Sequence, residues 1–115
     1  ILGWIFYMEK QDEKYLMEVK GCTLEIDGIG YFPDAPSERA VRHLHELMHA
    51  AKQGYHCILA FVIAMPGVTV VRPNMTTHPA FGQALSEAHE AGVDVWYLTC
   101  EITADSIKAA ELYKA

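Results

Sequence analysis

This chain contains no apolar run long enough to cross a membrane. Its most hydrophobic stretch, residues 57 to 66, is far shorter than the roughly 20 residues a bilayer span requires, and no signal-peptide pattern precedes it. Cysteine is scarce and unpaired in pattern. Cys22, Cys57 and Cys100 leave one thiol over in any disulfide scheme, and none forms a C-x-x-C pair, so we expect three small core residues in a reducing compartment. Positive charge is in deficit, with nine Lys and Arg against fifteen Asp and Glu for a formal charge of −6. That balance excludes a domain that grips nucleic acid by bulk electrostatics and leaves only a local basic cleft. No internal repeat, linker or low-complexity segment interrupts the 115 residues. The length suits one domain, which would bury about 65% of its unfolded surface without disulfides. A soluble, cytoplasmic protein with no membrane partner is the expectation.

The apolar pattern reads strand, strand, helix, strand, helix, strand. Residues 4–9 and 14–26 are rich in aromatic and β-branched side chains and flank the polar segment Lys10-Gln11-Asp12-Glu13, which predicts a β-hairpin. A loop containing Gly28, Gly30, Pro33 and Pro36 follows. Ser37 or Asp34 can cap a helix that reaches Gln53 and stops at Gly54. The runs CILAFVIAM and VDVWYLTC are nearly continuous apolar segments, as in strands covered on both faces, and a short VTVV strand lies between them. Thr76 or Thr77 opens a second helix that runs through Ala91 to Gly92, and ITADSIKAAELYKA predicts a short terminal helix. The class is α/β, with a mixed central sheet flanked by helices. Trp4, Phe61, Trp96 and Tyr97 sit in these apolar strand runs and are expected in the core.

Two patterns carry chemistry. The first is His45-Glu46-Leu47-Met48-His49, an H-E-x-x-H of the kind that holds zinc in metallohydrolases. At about 100° per residue, Ala40, Val41, Leu44, Leu47, Met48 and Ala51 form the core stripe of its helix, which turns His45 aside and His49 towards water. The Gly and His of the extended metzincin motif are replaced by Lys52 and Tyr55. No zinc is expected. The second pattern is Glu18-Val19-Lys20. Strand alternation projects Glu18 and Lys20 from one side, one pleat apart, in an otherwise apolar strand. Such a pair is costly unless paired or solvated at a cleft. It has a chemical use, in which the carboxylate holds a divalent cation while the ammonium orients water beside a phosphate.

Residues 15–47, YLMEVKGCTLEIDGIGYFPDAPSERAVRHLHEL, resemble the sugar fermentation stimulation protein A (SfsA) family, with its strand E-V-K-x-x-T-L followed by F-P-D-A-x-T-E-R-G-x-K-H-L-x-E-L. The likeness continues through KQGYHCILAFVIAM, PAFGQALSEAHEAGVDVWYLTCEIT and DSIK, and so over nearly the whole chain. The resemblance implies the C-terminal domain of that family, with a restriction-endonuclease-like fold of the PD-(D/E)xK type. It also implies an N-terminal OB-like domain, expected to be absent from the 115 residues, DNA as partner, and a link to regulation of sugar (maltose) metabolism. Glu18 and Lys20 then match the family's acid and lysine as catalytic residues, and Glu18 is the metal ligand, for Mg²⁺ or Mn²⁺. Lys20, Arg39 and His43 become nucleic-acid contacts. Arg39 and His43 lie one turn apart on the first helix, where they either line the cleft or form a cap and a surface pair.

The departures from the family pattern bear on activity. Ile5 stands where the family strand has the aspartate that is the first metal ligand, and a site reduced to Glu18 should bind Mg²⁺ poorly. A one-nucleotide shift of register turns Leu-Asp-Phe (TTG-GAT-TTT) into Trp-Ile-Phe. The hypothesis that the chain begins just upstream of a frameshift is refuted if the source DNA encodes an in-frame OB domain upstream. Ala40 replaces a family glycine, and Met75 and His78 stand where relatives carry Asp. The readings that remain are a non-catalytic DNA-binding module with a degenerate site, a Mg²⁺- or Mn²⁺-dependent nuclease, and an inert remnant, dimeric through a surface that is otherwise covered.

Overall fold

A computed structural model describes residues 3–115. Strands β1 (Gly3–Lys10) and β2 (Glu13–Cys22) form the expected hairpin, in antiparallel register from Gly3↔Lys20 to Lys10↔Glu13. The turn is tighter than the four polar residues suggested. Only Gln11 and Asp12 lie between the strands, both at positive φ (52° and 68°), as in a two-residue type I′ connection.

The long strand expected over 14–26 breaks at Thr23. Strand β3 (Leu24–Ile26) leaves the first sheet and pairs antiparallel with β4 (Ile29–Phe32), which lies inside the segment expected to be loop. Asp27 and Gly28, at φ of 53° and 83°, make the turn. Asp-Gly is a hairpin signature, and here it was legible. Helix α1 (Glu38–Lys52) begins at Ser37, whose Oγ accepts the Ala40 N–H at 3.2 Å. It ends at Gln53, and Gly54 follows at φ +94°. Strand β5 (His56–Ile63) comes next. The short strand β6 is Val71–Pro73 rather than VTVV, and it pairs parallel with β4 to complete a three-stranded sheet in the order β3-β4-β6.

Helix α2 (Pro79–Glu90) starts at His78, not at Thr76 or Thr77. Pro79 explains the shift, because proline is pre-organised for the first helical position and needs no N–H partner there. Strand β7 (Asp94–Ile102) follows Gly92. The terminal helix is absent, and residues Ile107–Lys114 form strand β8, antiparallel to β7. Ala, Leu and Glu favour a helix locally, but an isolated helix of this length is marginal in water. The free edge of β7 offers backbone partners and the cross-strand pairs Ile102↔Ile107, Leu98↔Leu112 and Tyr97↔Tyr113.

The main sheet has the order β1-β2-β5-β7-β8, with β2, β5 and β7 parallel and both outer strands antiparallel. Both helices pack on one face. Leu44 and Leu47 of α1 and Phe81, Ala84 and Ala88 of α2 are buried with Leu59, Phe61 and Ile63 of β5 and Val95 of β7. No helix among the described residues covers the opposite face, so the expectation of strands covered on both sides fails there. Trp96 is half-buried on that open face, beside Phe6, Met17 and Ile58. Phe61 is fully buried and Tyr97 partly so, whereas the side chain of Trp4 lies outside the described residues. Cys22 and Cys57 are buried thiols, but Cys100, at the irregularity between Thr99 and Cys100, is only half-buried. No helix among the described residues is long and apolar enough to cross a membrane.

Candidate nucleic-acid-binding site

Alternation along β2 sends Leu16, Glu18, Lys20 and Cys22 towards the helix layer and Tyr15, Met17 and Val19 to the open face. Glu18 and Lys20 are thereby buried at 3% and 7% exposure. They pair with each other, Lys20 Nζ lying 3.1 Å from Glu18 Oε1. His43 joins them from α1. It shares a helix face with Ala40 and Leu47, three residues before it and four after, so it points inward and is only 8% exposed. Its Nδ1 is 2.7 Å from Lys20 Nζ and also touches Glu18 Oε1. His43 is thus neither a surface residue nor part of a cap, but packs against the Glu18–Lys20 pair.

Three ionisable groups thus meet around one carboxylate oxygen. A neutral imidazole can either accept from the Lys20 ammonium through Nδ1 or donate to Glu18 through it, but not both. Glu18 Oε1 is held by these charged contacts without a well-aligned hydrogen bond of its own. The His43 pKa lies below the usual 6.5, chiefly because burial disfavours the imidazolium. The positive charges of Lys20 and Arg39 push it the same way, while Glu18 and Glu46 oppose them.

A cleft of about 400 Å³ opens beside this cluster, lined by Lys20, Pro33, Asp34, Ser37 and Arg39 among others. Arg39 is exposed in its wall, one turn before His43 and at the N-terminus of α1. Asp34 is exposed as well and does not cap the helix. The wall is tied to the segment before α2 by contacts that the sequence did not reveal. Asn74 Nδ2 donates to the Pro33 carbonyl at 3.0 Å, and the Ser37 N–H donates to His78 Nδ1 at 2.9 Å. His78, one of the departures from the family pattern, therefore supplies an acceptor there.

The cation question turns on donors. Ile5 is the register partner of Glu18, on the same side of the hairpin, and is 58% exposed. Among the described residues no three His, Cys, Asp or Glu side chains stand close enough together to hold a metal. One carboxylate oxygen already engaged by an ammonium, plus one imidazole, does not fit Mg²⁺, which takes carboxylate and phosphate oxygens in octahedral geometry. His45 and His49 of the H-E-x-x-H are exposed, and His49 Nε2 lies 3.1 Å from Gln53 Nε2.

Comparison with known proteins agrees with this architecture. Residues 5–106 match the family described as the sugar fermentation stimulation protein RE domain. A sugar fermentation stimulation protein homolog of Desulfitobacterium hafniense (strain Y51) is 47% identical over 106 residues, which cover 92% of this chain and 46% of the relative. That of Clostridium beijerinckii is 47% identical over 89% of this chain and 45% of its own length. The chain thus spans under half the length of these curated relatives. A solved structure, Pyrococcus furiosus SfsA in complex with Ca²⁺, superposes with a TM-score of 0.85 at 28% identity, over 92% of this chain and 46% of that one. With its mixed sheet and two packed helices in a restriction-endonuclease-like arrangement, this chain belongs to the sugar fermentation stimulation protein (SfsA) family.

Proposed function

We propose that this domain is a DNA-binding module whose endonuclease-like centre is degenerate, part of an SfsA-type protein linked to regulation of sugar (maltose) metabolism. The observation that carries the reading is the buried Glu18–Lys20–His43 cluster beside a cleft that has Arg39 in its wall and the α1 N-terminus at its rim. Backbone N–H groups at a helix start favour an anion, and the guanidinium adds a bidentate donor for phosphate oxygens. Lys20 contributes less, because Glu18 already neutralises it at 3.1 Å. Asp34 in the same wall repels phosphate and keeps the contact weak.

Binding should therefore be weak and electrostatically simple. One effective phosphate contact gives a slope of log K against log salt of about −0.9 on duplex DNA. Arg39→Ala should bring the slope close to zero without altering the thermal midpoint, since Arg39 is exposed. Fluorescence anisotropy with a labelled duplex across a salt series reads both. A slope that Arg39→Ala leaves unchanged would sink the proposal.

A second reading, a Mg²⁺- or Mn²⁺-dependent nuclease acting on phosphodiesters, is favoured by the placement of Glu18 and Lys20 on one side of β2, with Lys20 in the cleft lining. The donor set of this chain does not support it as it stands. Ile5→Asp would set a second carboxylate opposite Glu18, about 5 Å away between Cβ atoms. Calorimetry with Mn²⁺ and Mg²⁺ separates the cases. If Ile5→Asp gains a binding isotherm that Glu18→Ala abolishes, the centre is an endonuclease-like site lacking one ligand. If neither protein binds either ion, Glu18 and Lys20 are structural and the nuclease reading is dropped.

A further inference from the structure

The face of the five-stranded sheet opposite the helices has no cover among the described residues. Strand register assigns Phe6, Met8, Tyr15, Met17, Ile58 and Trp96 to it, with Leu98 and Leu112 towards the far edge. Phe6 and Met8 are 53% and 56% exposed and Leu112 is 46% exposed. A groove of about 730 Å³ runs along this face between the β1–β2 side and Trp96. The face is apolar and continuous from edge to edge.

We infer that this open face is the contact surface of a homodimer, in which two copies of the chain pack sheet on sheet. Width is the first argument. Five strands about 4.8 Å apart and about 26 Å long present a footprint on the order of 600 Å² before side-chain relief is counted. That approaches the roughly 800 Å² per partner of a stable interface. A single helix, about 10 Å across, would cover less than half the width, and the opposite face of this same sheet needs two helices to cover it. A second copy of the face matches it in width and in apolar character.

Charge is the second argument. The chain carries −6 overall, yet register places on this face only Lys10 and Lys114 against Glu13 and Asp94, with His56 beside Glu13 at 3.5 Å. Two lysines and two carboxylates balance. All four sit at the rim, around an uncharged centre, so two copies can meet here without the repulsion their net charge would impose elsewhere. A neutral rim around an apolar centre is also the anatomy of a protein interface.

Sedimentation equilibrium of the 115-residue chain across a dilution series tests this. The expected result is a mass twice the 12.9 kDa of one chain, falling to one on dilution. Phe6→Lys with Met8→Lys should weaken association at least tenfold while the far-ultraviolet circular dichroism stays unchanged. Arg42→Glu with Glu46→Lys, on the exposed side of α1, should leave it unaltered. Should the first pair of substitutions disturb folding, Leu112→Lys at the opposite edge of the same face gives an independent reading and is expected to dissociate the dimer likewise. A monomer at every concentration overturns the inference and leaves the face to another segment of a longer chain. A dimer indifferent to the face substitutions also overturns it, pointing to pairing between sheet edges, as does open-ended association without a limiting mass.

Discussion

Replacing Lys20 by Met should flatten or reverse the pH dependence that His43 contributes to stability. In the native cluster the imidazole is held below its usual pKa of 6.5 by burial, with Lys20 and Arg39 adding to that and Glu18 and Glu46 opposing it. A histidine with a depressed folded pKa binds its proton more readily in the unfolded chain. Its contribution to stability is therefore intact above pH 6.5 and is lost as the pH falls from there towards the lowered pKa, below which it changes no further. The steepest loss one proton can produce is about 1.4 kcal/mol per pH unit. Met keeps the length and apolar stem of Lys20 but removes the ammonium 3.1 Å from Glu18. The buried carboxylate then has one remaining partner able to carry positive charge, which is His43.

The predicted cost of Lys20→Met above neutrality is about 3–5 kcal/mol, the range for stranding one member of a buried ion pair. Below neutrality part of that cost is recovered, because protonated His43 can take over the pairing with Glu18. If its folded pKa then exceeds 6.5, stability rises as the pH falls through that pKa, the opposite of the native sense. Urea unfolding followed by circular dichroism from pH 5 to 8, with a chelator present, gives the slopes directly. Everything outside the cluster is common to both proteins, so the difference between the two curves isolates it. His43→Gln is the control and should remove the contribution in either background. Parallel curves for native chain and Lys20→Met would refute the account, since His43 would then be insensitive to the charge 2.7 Å from its Nδ1.

The β1–β2 turn places two non-glycine residues, Gln11 and Asp12, at positive φ. Changing the pair to Asn-Gly, the residues this turn type prefers, should raise stability by about 1 kcal/mol, read as a higher thermal midpoint; a lower midpoint would contradict the assigned turn. His78→Ala removes the acceptor of the Ser37 N–H and should cost about 1 kcal/mol while weakening duplex binding by loosening the wall that carries Arg39. His78→Asp keeps an acceptor and should retain most of both, and if it behaves like His78→Ala in denaturation and anisotropy, the 2.9 Å contact has no holding role.

How much of this was legible in the chain differs from element to element. Glu18 and Lys20 could be placed on one side of a strand by alternation alone, and Ser37 and Gly54 marked the ends of α1 correctly. His43 falls at the margin of the core stripe, about 40° beyond Leu47, and a polar residue there reveals neither its direction nor what it will meet. Its partners lie on a strand more than twenty residues earlier, and only the packing of α1 on β2 brings them together. The Asp27-Gly28 turn carried its own signal and was overlooked because the flanking strands are only three and four residues long. Strand β8 was illegible for a different reason. Its composition favours a helix, and what overrides that preference is antiparallel pairing with β7 across the short turn at 103–106, which composition alone does not reveal.

The open sheet face exposes a deeper ambiguity, and it joins the two proposals. A continuous apolar run such as CILAFVIAM is what a strand needs when both faces are covered, whether the cover comes from its own chain or from another copy. Periodicity therefore registers that the second face is meant to be dry without saying what dries it. Because β2 alternates, Glu18 and Lys20 point to the helix layer while Met17 and Val19 point to the open face, so a sheet-on-sheet dimer would leave both clefts on its outer sides. Each copy then keeps its own Arg39 contact, and the Phe6→Lys, Met8→Lys protein should bind a short duplex with the affinity per chain of the native protein. Only a duplex long enough to reach both clefts would lose affinity, through the loss of the second site rather than of any contact within the first. An equal gain on short and long duplexes, with a steeper salt dependence, would instead place the open face itself in contact with DNA.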